Sequence, residues 1–555
     1  MRRLVIAPIL GTLTLGLVVA AVVAAGATAP GGAAPSAYSA RAGAAPLSQA
    51  ALIHRWYSRP DAGQGEVPAV IARLRAVASG AAPRATPGAA PAGPLAADVF
   101  NHDTVGLPQN EESVAVCGRT VLGGTNDFRG LLLGPPPAPA AGTARPLVPS
   151  AAAGWHLSTD NGRTVRNEGL LPPVMIAGQP VPARGDPVDA AGQGCSLYAS
   201  SVNSTSDDRI IAIVAYRSRP GTLASCPGGT DAACWPTRRV VATAGLPHFL
   251  DKEWMAVGRS GQAGEVVWVS FTDFILDPAT GRELSSTIKA VRCNPTLTTC
   301  TDPILVSGSD QRTQFSDVTV GPDGRTYLSW VAFQGPPGPD QAMVLKLRVA
   351  PPGSTQFGPT RIVAVEHEPM IGVLHVNAFL ALTIPKSDVK LVHGHPRVFV
   401  VWEGCRARPF GVCEEPRIKL ARSTDLGASW ARTVLSVGGD NYFPTISEDR
   451  GGPTLAVAWY TNRHDQVFHN RQDVELASVD PSSGAVVKRQ RLTPVSNETE
   501  ADVALQGRFI GDYFEVFARR GVAYVHYNAN YRAVRLAGQG VPIPQQDNYL
   551  TKAHL

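Results

Sequence analysis

The chain is poor in charge and nearly empty of lysine. Charged residues make up 17% of its 555 positions, below the quarter usual for globular domains. Eight lysines stand against 42 arginines. The net charge of +5 is too small over this length to mark a nucleic-acid polyanion as partner. No phosphate-cradling Gly-rich loop, dinucleotide fingerprint or Ser-His-Asp signature occurs. Cysteines number only eight, and none stands in a C-x-x-C spacing or beside paired histidines, which removes the common zinc patterns. Beyond Ala29 there is no further long apolar run.

Glycine (55) and proline (47) are abundant, which suits a turn-rich all-β protein. Met1-Arg2-Arg3 followed by the apolar Leu4–Ala29 has the layout of a secretory signal over residues 1–29. An uncleaved anchor is the alternative, and no other membrane segment is expected. No cysteine sits there, which argues against a lipoprotein. The eight cysteines agree with export to an oxidising compartment. Cys226/Cys234, Cys293/Cys300 and Cys405/Cys413 are close neighbours among Pro, Gly and Thr and are expected to pair locally. Cys117 and Cys195 are then left for each other. Residues 30–95 are Ala, Gly and Pro rich and linker-like, with short helices expected near 48–57 and 67–77.

From about residue 96 to 555 one unit recurs: an acidic or polar start, a β-rich run, a Gly turn and an aromatic-containing run. Taking the starts at Glu112, Asp186, Glu253, Asp317, Asn377, Pro444 and Tyr513, the gaps are 74, 67, 64, 60, 67 and 69 residues. A near-constant period means one repeat architecture. Its length holds four strands, so an all-β propeller is expected, with seven blades and six as the alternative. Trp268, Trp330, Trp402 and Trp459 recur at one register and are expected to pack between blades. The last unit is short by about one strand. Ala96–Phe100 is expected to complete it, with Asn548–Thr551 as a further strand there.

Ser423-Thr424-Asp425-Leu426-Gly427-Ala428-Ser429-Trp430 is the most specific motif in the chain, and Ser158-Thr159-Asp160-Asn161-Gly162-Arg163-Thr164-Val165 is a second copy. The aspartate can accept from backbone N–H groups across a tight turn, glycine supplies a positive φ, the hydroxyl at Ser429 or Thr164 adds a bond, and Trp430 packs beneath. These octapeptides resemble the Asp-box, or BNR repeat, of sialidases and related β-propellers. The resemblance spans roughly residues 110–532. It implies a propeller whose Asp-box turns lie on the face away from the catalytic centre.

The resemblance also implies an arginine cluster on a sugar carboxylate, a Tyr–Glu nucleophile pair and an Asp acid/base. Arginine suits a carboxylate because its planar fork binds bidentately. The F/Y-R-I-P motif of well-characterised sialidases is absent, so candidates are taken by position at blade ends: Arg129, Arg463 and Arg532 for the clamp with Asp512 beside them, Tyr513 as nucleophile, Glu253 as its base and Asp127 as acid. The expected function is that of an exo-glycosidase on sialylated or other acidic glycans. The alternative is a non-catalytic propeller that binds a glycan or a protein. Blade-end Asp and Arg also commonly pair to tie blades together. No cofactor is called for, although the Asn203–Asp208 loop has the oxygen ligands that Ca²⁺ takes.

Overall fold

The computed structural model describes residues 108–128, 151–335, 341–367, 369, 371–374, 377, 379–407, 413–499, 509–530, 533–534 and 543–555. The export signal (1–29), the linker with its helices (30–95) and the closing strand at 96–100 lie outside these residues.

Runs rich in Val, Ile and aromatics become strands, and the Gly turns fold them into antiparallel meanders in chain order. The first is Gln109–Cys117, Thr120–Asp127, Ala153–Ser158 and Asn167–Leu170. The second is Ala183–Ala191, Leu197–Ser204, Ile211–Ser218 and Thr237–Ala244. The third is His248–Arg259, Glu265–Leu276, Glu283–Cys293 and Ile304–Leu305. The fourth is Thr313–Val320, Thr326–Gln334, Ala342–Ala350 and Arg361–Glu366. The fifth is Lys386–Val392, His395–Gly404, Arg417–Ser423 and Ala431–Val434. The sixth is Asn441–Arg450, Leu455–Thr461, Asp473–Val479 and Val486–Arg491. The last is Glu515–Arg519, Val522–Ala529 and Asp547–His554.

The first five meanders are separate four-stranded sheets. The sixth and last share one seven-stranded sheet, joined where Asp449 and Arg450 run parallel to Ala518 and Arg519. The first strands of successive meanders touch in turn, and Glu515–Arg519 touches Gln109–Cys117 to close the circuit. The arrangement is propeller-like, with first strands around the axis. Asn548–Thr551 does lie in a strand, paired along Val522–Ala529. The amide of Gln109 donates to the Gln546 carbonyl at 2.9 Å, tying the start of the first meander to the end of the chain.

The fifth meander does not begin at Asn377. The 377–382 run falls at a short hairpin, Ile371–Val373 with Leu380–Leu382, and the axial strand is Lys386–Val392. The reason is the two-residue turn His393-Gly394, with φ of 52° and 80°. Two positive φ values match the twist of a tight hairpin, so Val392 pairs with His395 and the strand is fixed there.

Five of the described axial strands share an irregularity; Lys386–Val392 and Glu515–Arg519 pair without it. A β-bulge interrupts pairing between Asn110 and Ser113, Gly185 and Val188, Asp251 and Trp254, Gln314 and Asp317, and Tyr442 and Thr445. Each contains a non-glycine residue in the left-handed region: Glu111, Asp186, Lys252, Phe315 and Phe443. A bulge places two residues opposite one and re-aims their side chains.

Trp268, Trp330, Trp402 and Trp459 occupy the second strands of the third to sixth meanders and are at most 1% exposed. Removing roughly 200 Å² of each from water is worth about 5 kcal/mol. They are core residues, as their common register requires. All eight cysteines are bonded: Cys117–Cys195, Cys226–Cys234, Cys293–Cys300 and Cys405–Cys413.

Both aspartate turns join a third strand to a fourth. Asp425 Oδ1 accepts from Ser423 Oγ (2.7 Å) and the Ser429 amide (2.9 Å), and Oδ2 accepts from Ser429 Oγ at 2.6 Å. These bonds, those of Ser429 first, hold Asp425 down at about 2. Asp160 receives the same set from Ser158, Thr164 and the Arg163 amide. Gly162 and Gly427 have φ of 70° and 89° and donate their amides to Ser158 and Ser423. Trp430 packs against Gly427 and the fifth meander's core.

Candidate functional site

In an antiparallel meander the residues entering the first strand and leaving the second share one face. On that face the bulges bring polar side chains from the last, first, second and third meanders together. Lys252 Nζ donates to Asp512 Oδ2. The Asp512 amide donates to Glu111 Oε1 at 3.1 Å. Asn126 Nδ2 donates to Glu111 Oε2, and Asn126 Oδ1 accepts the Asp186 amide at 2.8 Å. Gly511, with φ of 87°, sits where a Cβ would come within 2.9 Å of the Glu111 amide. Glycine is required for this approach of the last meander to the first.

Every charged member of the cluster is buried: Glu111, Glu112, Asp186, Asp251, Lys252, Glu253 and Asp512. Burial pushes Glu111 well above the usual carboxyl range, and the charge of Asp186 adds to it. Burial likewise raises Glu112, and burial with Asp186 raises Glu253. Burial works against the Lys252 cation, but Asp512, Glu111, Asp186 and Asp251 outweigh it and keep the amine charged. The Tyr513 phenol is pushed up by burial and then by Glu111, Asp186, Glu253 and Glu112, so it is a neutral hydroxyl. The Tyr513 hydroxyl finds no hydrogen-bond partner, and the Glu253 carboxyl meets none beyond its own backbone amide.

A second group adjoins it. Lys386 Nζ lies 2.7 Å from the Trp254 ring centroid and 5.3 Å from that of Tyr513, and the two rings meet edge to face at 5.4 Å. Lys386 is 4.0 Å from Asp317 Oδ1, whose other oxygen accepts from the Ser387 amide (2.8 Å) and hydroxyl (2.5 Å). Burial, only partly offset by Asp317, brings Lys386 down to about 7.

Of the residues expected at the site, Glu253, Asp512 and Tyr513 therefore belong to one axial cluster. Asp127 is buried at the end of its strand, with Gln109 Nε2 at 3.4 Å from Oδ2. Arg463 is engaged elsewhere: its Nε donates to the buried Glu475, which also receives Arg489 Nη1 at 3.4 Å and has His464 Nε2 at 3.0 Å. Arg129 and Arg532 lie outside the described residues. Glu111, Asp186 and Lys252 lie in the loops that enter the first strands, where the sequence places a funnel of carboxylates without giving any of the three a role of its own. The missed signal was the charged pair at two of the bulges, Glu111-Glu112 and Lys252-Glu253. Lys386 lay outside every run.

In the Asn203–Asp208 loop, Asn203 Nδ2 points to the Val181 carbonyl and the Tyr216 hydroxyl, both at 3.1 Å. Asp207 accepts from Thr205 and Arg209. Among the described residues no group of three or more His, Cys, Asp or Glu is set to hold a metal. Among them, too, no helix is long and apolar enough to cross a membrane.

No family model matches the chain, and no curated protein matches it. Among solved structures it is similar to an α-L-arabinanase of Penicillium chrysogenum, at 14% identity over 70% of this chain and 98% of that one, with a TM-score of 0.40. It is similar to the endosialidase of phage phi92, at 12% identity over 82% and 68%, TM-score 0.39. It is also similar to a puromycin-hydrolysing peptidase of Mycobacterium tuberculosis, at 12% identity over 83% and 56%, TM-score 0.39.

Proposed function

We propose that the chain is an exported, seven-bladed, sialidase-like propeller whose axial cluster hydrolyses a terminal acidic sugar from a glycan. One observation supports this most: a phenol and a carboxyl, Tyr513 and Glu253, are buried in one cluster, the phenol without a partner and the carboxyl with none beyond its own amide. A buried unpaired polar group costs about 1–3 kcal/mol. Such groups persist where a ligand completes them.

Tyr513 Oη attacks the anomeric carbon as its proton passes to Glu253. The bond to the leaving oxygen breaks, and that oxygen takes a proton from Asp127. Water then forms a bond to the anomeric carbon, giving its proton to Asp127, while the bond to Tyr513 breaks and the phenolate recovers its proton from Glu253. The upward shift of Glu253 makes its carboxylate, once ionised, a stronger base for the phenol proton. Arg129 and Arg532 are the clamp for the sugar carboxylate. Arg463 is held by Glu475 and joins them only by leaving that pair. Asp512, with one oxygen unpartnered, accepts from a sugar hydroxyl.

The test is turnover of a fluorogenic sialoside and a panel of other acidic glycosides by wild type, Tyr513→Phe and Glu253→Gln. Each substitution is expected to lower kcat/KM by at least about a hundredfold, in the range of general acid–base contributions. Turnover that survives both would sink the assignment. A second reading, a non-catalytic glycan-binding propeller, is favoured by the internal pairing of Lys252 with Asp512 and of Arg463 with Glu475. No turnover together with retained glycan-array binding would select it.

A further inference from the structure

The face opposite the axial cluster carries a groove of about 400 Å³. It is built where the turn between first and second strands of the fourth meander meets two turns of the fifth. Its polar lining is Arg325, His393, His395, Arg397 and Thr424, above apolar contacts that include Leu426, and no carboxylate lines it. The bordering acids are used up by their own turns. Asp323 takes Arg325 Nη1 at 2.9 Å and the Tyr327 hydroxyl at 2.7 Å through the same oxygen. Asp425 is filled by Ser423 and Ser429. Asp480 accepts the Ser482 and Ser483 amides and the Ser483 hydroxyl.

The basic groups are held in place. Arg397 Nη1 donates to the carbonyls of Pro481 (3.2 Å) and Ser482 (3.1 Å), which fixes its guanidinium at the groove. His393 occupies a left-handed turn position, φ 52°, beside Gly394. Asn, Asp or Gly are the residues that a two-residue hairpin turn prefers there. His393 and His395 are both exposed, two residues apart, at the rim of the groove.

We propose that this groove binds a sugar bearing a tetrahedral oxyanion ester, sulfate or phosphate. Guanidinium forks match such oxyanions, imidazoles add donors, and the volume suits one sugar ring with its ester. The site is separate from the axial cluster and does not depend on the glycosidase reading.

Isothermal titration at low ionic strength tests it with four probes: a fully sulfated heparin disaccharide, its desulfated form, glucose 6-phosphate and inorganic sulfate. At least one ester-bearing sugar is expected to bind, weakening with added salt, while the desulfated disaccharide does not. Which ester binds tells sulfate from phosphate. Arg397→Gln and the double variant His393→Ala/His395→Ala are each expected to weaken binding at least about tenfold, as loss of about 1.4 kcal/mol does. Tyr513→Phe should leave it unchanged. If Arg397→Gln fails to fold because the Pro481 and Ser482 contacts are lost, the exposed histidine pair decides. No heat from any probe, equal affinity for the desulfated disaccharide, or binding that survives the folded variants overturns the proposal. Inorganic sulfate binding as tightly as the sugar esters overturns the sugar part and leaves an adventitious ion only.

Discussion

Replacing Lys252 with methionine keeps the side-chain volume and removes the cation that Asp512, Glu111, Asp186 and Asp251 share. Lys252 and Asp512 are 5% and 0% exposed in their side chains. Asp512 would lose its partner, and Glu111, Asp186 and Asp251 would lose the charge that offsets their repulsion. Breaking a buried pair from one side costs about 3–5 kcal/mol, against a total stability of about 5–15 kcal/mol. Asp512→Asn is milder, because Glu111, Asp186 and Asp251 still face the amine. The double variant Lys252→Met/Asp512→Asn should lose clearly less than the two single losses added together, since no unpaired charge remains of that pair. Urea unfolding followed by tryptophan fluorescence measures all three. The pKa of Lys252 is raised on folding, so its contribution is present in full below the unfolded value of 10.5 and fades only as pH rises through the higher folded value. The loss should therefore be the same at pH 6 and pH 9. A loss below about 1 kcal/mol, the level of an exposed pair, or a double variant worse than the sum, would refute the reasoning.

Cys117–Cys195 closes a separation of 78 residues and Cys226–Cys234 one of 8. Chain entropy assigns them about 4.5 and about 2.5 kcal/mol, so the paired serine substitution at the first should lower the urea midpoint more; equal shifts would contradict this. Burial raises Glu515 to about 8 and Asp317 to about 6. Each then holds its proton longer in the folded state, so its contribution is present below the unfolded value and is lost as pH rises through the folded one. Lys386, depressed to about 7, acts with the opposite sign between there and 10.5. Between pH 5 and pH 8 stability should fall, and Glu515→Gln should flatten that fall; a slope that Glu515→Gln leaves unchanged would remove Glu515 from the account.

Much of the fold was legible because it is written in short-range chemistry. The aspartate turns are complete within eight residues. Ser423, Asp425, Gly427 and Ser429 carry their own donors, acceptors and positive φ, so no distant partner has to be known. The tryptophan register works for a similar reason. One large apolar residue per second strand has nowhere to go except between sheets. The fifth meander shows the limit. Ala378–Leu382 is as apolar as a core strand, and periodicity alone favours it. What settles the pairing is a turn of His393 and Gly394, and histidine is a poor advertisement for a left-handed position.

The candidate site was less legible because bulges scramble the rule that side chains alternate along a strand. Across Asn110–Ser113 and Asp251–Trp254, two residues oppose one. Glu111 and Glu112, or Lys252 and Glu253, then no longer point to opposite faces by simple parity, and all four are buried near the axis. Strand parity would have sent one of each pair outward. The same bulge explains why a charged residue tolerates a left-handed φ there: Lys252 and Asp186 exchange local strain for contacts with neighbouring meanders. Lys386 needed more than this, because its partners come from three other meanders: Asp317 from the fourth, Trp254 from the third and Tyr513 from just before the last. Only the closed circuit of axial strands brings them together, and no local pattern in the chain encodes that closure.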